Sequence, residues 1–305
     1  MLQIFNYTAG KGDCIRLRYM GKSGMIRNVI IDTGVIRFAS HFYSICSEIS
    51  DAGEQVDVLI LTHVDDDHIG GLLGNLRQKK QLPIKDVWMN HGSMIAGNVD
   101  LSVKQNDEVY TRLIQSNIPV RTAIKGNRYE LDGASFHILW PAKEVLSSAL
   151  NRQKDVLLGR VSDYGFSIEE LMDMPIKHKD ASLSNHASIV FEFEYNTVRY
   201  LFTGDAWAED IISNIENGNY DLVKLPHHGS VRNLSEKWSG KIQCKNFMIC
   251  TDGIMHPDKQ TIAKLLKWYG EIHVYGSVSW WNRFMTESEM GDKVHFVEGE
   301  KILWK

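Results

Sequence analysis

Short apolar runs broken by Gly and Asp dominate the first third of the chain. Residues 2–7, 15–20 and 28–32 predict three strands. Gly10, Gly12 and Asp13 turn the chain after the first, and Gly21 and Gly24 make a hairpin of the next two. The period then changes. Phe42, Ile45, Cys46 and Ile49 recur at helical spacing and predict a helix over 42–49. Residues 56–61 read as a strand buried on both faces. Helices over 69–77 and 103–115 alternate with strands at 87–90, 119–122 and 135–140.

From 143 to about 180 the pattern is least periodic and carries Gly159, Gly165 and Pro175, which predicts a mixed insertion beside the site. Strands at 187–195 and 198–202 follow, joined by an Asn196-Thr197 hairpin turn. After a helix at 208–215 come strands at 221–225 and 247–250. Ile262, Leu265, Leu266 and Tyr269 stripe a helix over 259–269, and strands at 272–275, 294–297 and 301–304 close the chain. Hairpins come first, then strands alternate with helices, and this order occurs twice. It predicts an α+β fold of two sheets packed face to face with helices outside, in one domain over 1–305.

Composition narrows the function classes. With 305 residues, 43% hydrophobic and 24% charged, the chain is neither disordered nor fibrous. Lys and Arg total 34 against 38 Asp and Glu, and a net charge of −4 does not suit non-specific coating of nucleic acid. A cleft with local cations could still cut it. The four Cys form no Cys-x-x-Cys pair and read as buried thiols in a reducing compartment. There is no apolar run of about 18 residues and no basic-then-apolar leader, so no membrane span is expected and the cytoplasm is the expected location.

The chemistry concentrates after the strand at 56–61. Leu61-Thr62-His63-Val64-Asp65-Asp66-Asp67-His68-Ile69-Gly70-Gly71 sets three Asp and two His within six residues. Packing does not explain this, because close carboxylates repel and are costly to desolvate. A divalent cation reverses that penalty. In an extended or turn-like segment His63, Asp65 and Asp67 point one way, and His68 joins where the chain enters the helix. Such a turn can divide four ligands between two metals. Asp205, in Thr203-Gly204-Asp205, ends a later strand and can bridge two ions. His227 and His228 end another, with one facing metal and the other holding substrate or a carboxylate. Asn185 or His186 can complete the first metal's shell, and Asp32 can hydrogen-bond a ligand His. His91 and His256 are rim candidates. Trp280-Trp281 with Arg283 fits a stacking and phosphate patch as well as core filling.

These motifs, in this order, resemble the metallo-β-lactamase-fold hydrolase superfamily, and most the soluble hydrolase module of bacterial competence DNA-uptake channel proteins. Gly10-Lys11-Gly12-Asp13-Cys14 and Ile31-Asp32-Thr33-Gly34 are similar to its early turns. Residues 62–71 match its His-x-His-x-Asp-His-x-Gly-Gly motif, with Asp65 where the second His usually stands. Thr203-Gly204-Asp205 and Pro226-His227-His228-Gly229-Ser230 match its late motifs.

The resemblance implies a four-layer αββα sandwich. His63 and Asp65 would bind a first metal, Asp67, His68 and His228 a second, and Asp205 would bridge them. It leaves Asn185 where many relatives have a further His, and sets His256-Pro257 near substrate. Asp67, His227 and His256 are the candidate catalytic residues. The expected cofactors are two divalent ions, Zn²⁺ first and Mn²⁺ as the alternative, because carboxylates also suit harder ions. Such a pair, about 3.5–4 Å apart, holds a bridging hydroxide and lowers its pKa. The expected activity is a phosphodiesterase or nuclease acting on single-stranded or short nucleic acid or a nucleotide. A lactonase and a non-catalytic metal-binding scaffold are the alternatives.

Overall fold

The computed structural model describes residues 2–95, 104–149, 162–216 and 218–304. Its first sheet holds β1 (Leu2–Asn6), β2 (Ile15–Met20), β3 (Ile26–Ile31), β4 (Val58–Ile60), β5 (Val87–Trp88) and β6 (Val120–Arg121). The second holds β7 (Arg128–Leu131), β8 (Ala134–Trp140), β9 (Val190–Tyr195), β10 (Val198–Phe202), β11 (Leu222–Lys224), β12 (Asn246–Met248), β13 (Ile272–Gly276) and β14 (Val294–Glu298). The last strand, β15 (Lys301–Trp304), returns to the first sheet antiparallel to β1.

Each sheet begins antiparallel and continues parallel. β1, β2 and β3 are hairpin-paired, and β3 through β6 run parallel. β7 through β10 are antiparallel, and β10 through β14 parallel. Parallel neighbours need crossovers, and helices supply several of them. α1 (Ala39–Asp51) and α2 (Asp66–Arg77) cover the first sheet with α3 (Lys104–Gln115), and α4 (Ala208–Asn214) and α5 (Lys259–Tyr269) cover the second. Between the sheets, Leu17, Val29 and Ile31 meet Phe136, Phe191, Phe193 and Phe202. Phe42, Ile45 and Leu72 fill the layer under α1 and α2, and Ile211, Ile262 and Leu265 fill the layer under α4 and α5. This is the expected α+β sandwich with helices on both outer faces.

Several expectations need correction. β7 was not foreseen, because its residues are half-exposed and carry no apolar run. α2 begins at Asp66 rather than 69, since Asp66 and Asp67 favour the positive end of a helix. Of the two readings of Trp280 and Trp281, core filling holds: both are buried, packed on each other and on Phe296, and form no stacking platform. The stretch expected as an insertion carries short helices at Lys143–Ala149 and Ile168–Asp173, while residues 150–161 and Val103, expected in the third helix, lie outside the described residues.

Because parallel strands share direction, the carboxyl ends of β3, β4, β10, β11 and β12 open at one end of the sandwich. Asp32, Thr62-His63, Asp205, His227-His228 and Thr251 all follow those ends. Gly71 sets the close approach of α2, since a Cβ there would lie 2.1 Å from Thr33 O. Gly12 does the same for the first turn, where a Cβ would lie 1.8 Å from Asp67 O.

Candidate metal centre

The site is built outward from Asp32, which follows β3 with a left-handed φ of 57°. Its carboxylate accepts the Thr62 backbone N–H at 2.8 Å and the Thr62 hydroxyl at 2.6 Å. It also stands 2.8 Å from His68 Nδ1. That partner puts the His68 proton on Nδ1 and turns Nε2 inward. The His68 carbonyl accepts the Thr33 backbone N–H at 2.6 Å, which anchors the first turn of α2. His228 is held in the same way from the other sheet. Its Nδ1 lies 3.0 Å from both Cys250 O and Asp13 Oδ1, so its Nε2 also faces inward.

These nitrogens gather around Asp205. Asp205 Oδ2 lies 3.4 Å from His68 Nε2, 3.5 Å from His228 Nε2 and 3.9 Å from both His63 Nε2 and His227 Nε2. Asp67 Oδ2 stands 3.8 Å from His228 Nε2, and Asp65 Oδ2 3.7 Å from His63 Nε2. The Nε2 atoms of His63, His68 and His228, with Oδ1 of Asp205, are buried without a hydrogen-bond partner. Orphaned buried polar atoms are costly, so several facing one another fit a divalent cation. Among the described residues, one set of ligand atoms lies mutually within 4.8 Å: Asp13, His68, Asp205 and His228. Imidazole and carboxylate donors suit zinc or manganese.

Asp13 plays a double part in that set. Its Oδ2 is ion-paired with the buried Lys224 of β11, whose Nζ also donates to Gly204 O at 2.9 Å. Its Oδ1 faces the Nδ1 side of His228, away from that ring's Nε2. Asp13 therefore orients His228 and anchors Lys224 as well as lying within ligand distance. Burial pushes its carboxyl up, but Lys224 and His228 hold it well below the usual range.

The other groups follow the same electrostatics. Burial works against the charge on Asp205, yet His68, His228 and His227 hold its carboxyl far down. Burial pulls His68 down, and Asp205 and Asp32 raise it well above an ordinary imidazole. His63 is lowered by burial and by His68 beside it. Asp67 is desolvated, but His68 and His228 bring it to about 2. A divalent ion among these groups would compete with protons for the same imidazole nitrogens.

The structure brings together His63, Asp65, Asp67, His68, Asp205, His227 and His228. Asn185 joins them, with Nδ2 3.2 Å from His227 Nδ1 and Oδ1 buried without a partner. His186 does not: its Nδ1 lies 2.6 Å from Asp210 Oδ2 and its ring stacks on Trp207. The His256 ring lies 5.1 Å from that of His227. His91 is engaged with Asp107 at 2.8 Å and stacked on Tyr110. Sequence reasoning named Asp13 only as part of a turn and did not single out Asp180, which lies beside His227. For Asp13 the available signal was an acid in a glycine turn. For Asp180 there was none.

Comparison with known proteins places this geometry. The Metallo-beta-lactamase superfamily model matches residues 19–85. The chain has the metallo-beta-lactamase superfamily fold. It is weakly homologous to ComE operon protein 3 of Bacillus subtilis (strain 168), at 21% identity over 277 residues and 85% of this chain. The chain spans 30% of the length of that relative. Among solved structures it is similar to the metallo-beta-lactamase fold protein YhfI from Bacillus subtilis, with TM-score 0.49, 11% identity, and coverage of 92% of this chain and 98% of that one. It is also similar to Zn(2+)-bound PqqB from Methylobacterium extorquens, with TM-score 0.46, 11% identity, and coverage of 99% and 100%. The Asp and His cluster and the superfamily together support a metal-dependent hydrolase. Among the described residues, no helix is long and apolar enough to cross a membrane.

Proposed function

We propose that the protein is a phosphodiesterase acting on single-stranded or short nucleic acid or on a nucleotide. The observation that carries this reading is the ring of buried, unpartnered imidazole nitrogens around Asp205. His63 and Asp65 would hold one divalent ion and Asp67, His68 and His228 a second, with Asp205 between them and Asn185 beside the first. Bound there, zinc or manganese ions supply charge neutralisation on a phosphoryl oxygen and lower the pKa of water.

The protein's own groups do the rest. Asp32 and Asp13 fix the faces of His68 and His228. His227 and His256 line the approach and would meet the substrate. Lys11, with Nζ 3.0 Å from Asp67, and Arg37, 3.6 Å from Asp252, are largely exposed cations at the rim. Both offset carboxylate charge there, which suits an anionic phosphodiester better than a bare acidic rim would.

The test is hydrolysis of bis(p-nitrophenyl) phosphate with Zn²⁺ or Mn²⁺, run beside a lactone panel. Metal-dependent cleavage of the phosphodiester, lost in His68→Ala, is expected. Faster turnover of lactones would move the reading to carbonyl substrates. Full metal occupancy without hydrolysis of either would make the protein a binding scaffold.

A further inference from the structure

His227, like the buried His63, lies at the cluster but outside the mutual donor set, and at 28% side-chain exposure it is the one of the two that faces the approach. Its position is over-determined. The backbone is left-handed, with φ 47°, and its N–H donates to Gly204 O at 3.2 Å. Its Nδ1 lies 3.1 Å from Asn233 Oδ1 and 3.4 Å from Asp180 Oδ2. The Asn185 amide nitrogen also lies 3.2 Å from this Nδ1 but donates to Asp180 at 2.8 Å, so the two acceptors take the proton on Nδ1 and Nε2 is left 3.9 Å from Asp205 Oδ2.

Asp180 is itself fixed before it meets the ring. Its Oδ2 accepts Asn185 Nδ2 at 2.8 Å and Asn233 Nδ2 at 2.9 Å, and its Oδ1 accepts the Ser182 backbone N–H at 3.0 Å. Asn233 is tied in turn to Asp205 O at 3.0 Å. The same stretch of chain reaches the second rim imidazole. Asp163 accepts the Gln260 backbone N–H at 2.7 Å, at the start of α5. Tyr164 OH donates to Pro257 O at 3.1 Å, next to His256.

We infer that Asp180 is a positioning residue for the phosphodiester reaction, holding the His227 ring so that Nε2 faces the scissile phosphate. The inference rests on the proposed function. It gives the segment ending at Asp180 a role: it braces the two rim imidazoles from outside the metal cluster.

The experiment compares Asp180→Ala and Asp180→Asn in the parent and in a His227→Ala background, with bis(p-nitrophenyl) phosphate at saturating Mn²⁺. Asp180→Ala is expected to lower kcat about 10- to 100-fold, in the range for groups that orient a functional residue, with KM and bound metal little changed. Asp180→Asn keeps an acceptor oxygen and should recover most of that loss. In the His227→Ala background, Asp180→Ala should do nothing further, because no ring remains to be held. Equal losses in both backgrounds, or metal loss that tracks the rate, would overturn the inference. Should the alanine variant not fold, Asp180→Ser, too short to reach the ring, replaces it.

A second readout does not depend on turnover. In the zinc-loaded protein, at a pH high enough to leave the ring neutral, imidazole ¹⁵N shifts should report His227 as the Nδ1–H tautomer in the parent and as a mixture in Asp180→Ala. An unchanged tautomer sinks the positioning role even in an active enzyme. An inactive parent with the tautomer shift present removes the phosphodiesterase reading and leaves the Asp180–His227 clamp standing.

Discussion

Strand β3 starts in a half-buried ionic cluster and ends in a buried one of opposite character. At its start, Arg27 lies 2.9 Å from Asp132 and 3.0 Å from Asp57. The other Asp57 oxygen accepts the Asn28 N–H at 3.0 Å, and the other Asp132 oxygen accepts the Ser23 N–H at 2.9 Å. Each of those carboxylate oxygens has a donor. At the end of β3, Asp32 is as well satisfied by Thr62 and His68. One step further out the pairing stops, at the Nε2 atoms of His63, His68 and His228 and at Asp205 Oδ1. Both clusters join the two sheets, one through Asp132 in the β7–β8 turn and one through Asp13 and Lys224. Buried charge must be compensated, at Asp57 as at Asp205. The first is compensated by protein alone and is a staple. The second leaves buried donors and acceptors facing one another unpaired, as a cation site would.

The sharpest way to break this contrast is to remove a central donor from each end. Asp205→Ala should lower the bound divalent metal, measured by metal analysis after dialysis, and take phosphodiester hydrolysis to background. Asp132→Ala should leave both unchanged. Equal metal content in Asp205→Ala and the parent would falsify the role of Asp205 at the centre. Next in size is the Asp13–Lys224 pair, in which both side chains are 1% exposed. Lys224→Met leaves a buried carboxylate uncompensated and should cost about 3–5 kcal/mol in urea unfolding of the metal-free protein. Replacing Asp13 by Leu in the same chain should restore most of the loss. If the double variant is no more stable than the single one, the cost lies in packing instead.

A third measurement asks what occupies the unpaired end before metal arrives. Asp205 and Asp32 hold His68 protonated well above an ordinary imidazole's range. Zinc added to weakly buffered protein at neutral pH should therefore release protons, about one or more per ion. An indicator dye reads this directly. Release should fall in His68→Ala, and an unchanged value there would assign the stored proton elsewhere.

Much of this was legible in the sequence because it is local. The strands at 15–20 and 198–202 and the helix at 259–269 were visible, since burial on a face imposes a period on neighbouring residues. The His63–His68 cluster was legible because five acids and imidazoles in six positions have no packing explanation. Asp32 was assigned to a ligand His, and it does meet His68. What stayed hidden depends on distant parts of the chain. Asp13 meets Lys224, and Asp180 meets His227 and Asn233, only after the sheets close. Single acids in loops carry no period. Trp280 and Trp281 stayed open between two readings, since an aromatic pair beside Arg283 looks the same in sequence whether the rings stack on bases or on Phe296.

The smallest expected effect lies at the staple, and its sign is fixed by one carboxyl. Hydrogen bonds from the Ser23 hydroxyl and backbone, joined by the Arg27 guanidinium, hold Asp132 at about 2. A carboxyl lowered in the folded state binds its proton more weakly there than in the unfolded chain. Its contribution is therefore complete above the ordinary carboxylate range and disappears as pH falls through about 2. The urea midpoint of Asp132→Ala should sit slightly below that of the parent near pH 6, and the gap should narrow as pH falls from about 4 toward 2. Hydrolysis should not follow this variant at any pH where the parent is active. A gap that widens in acid would mean that Asp132 is held protonated, and the staple would then be as incomplete as the site at the other end of β3.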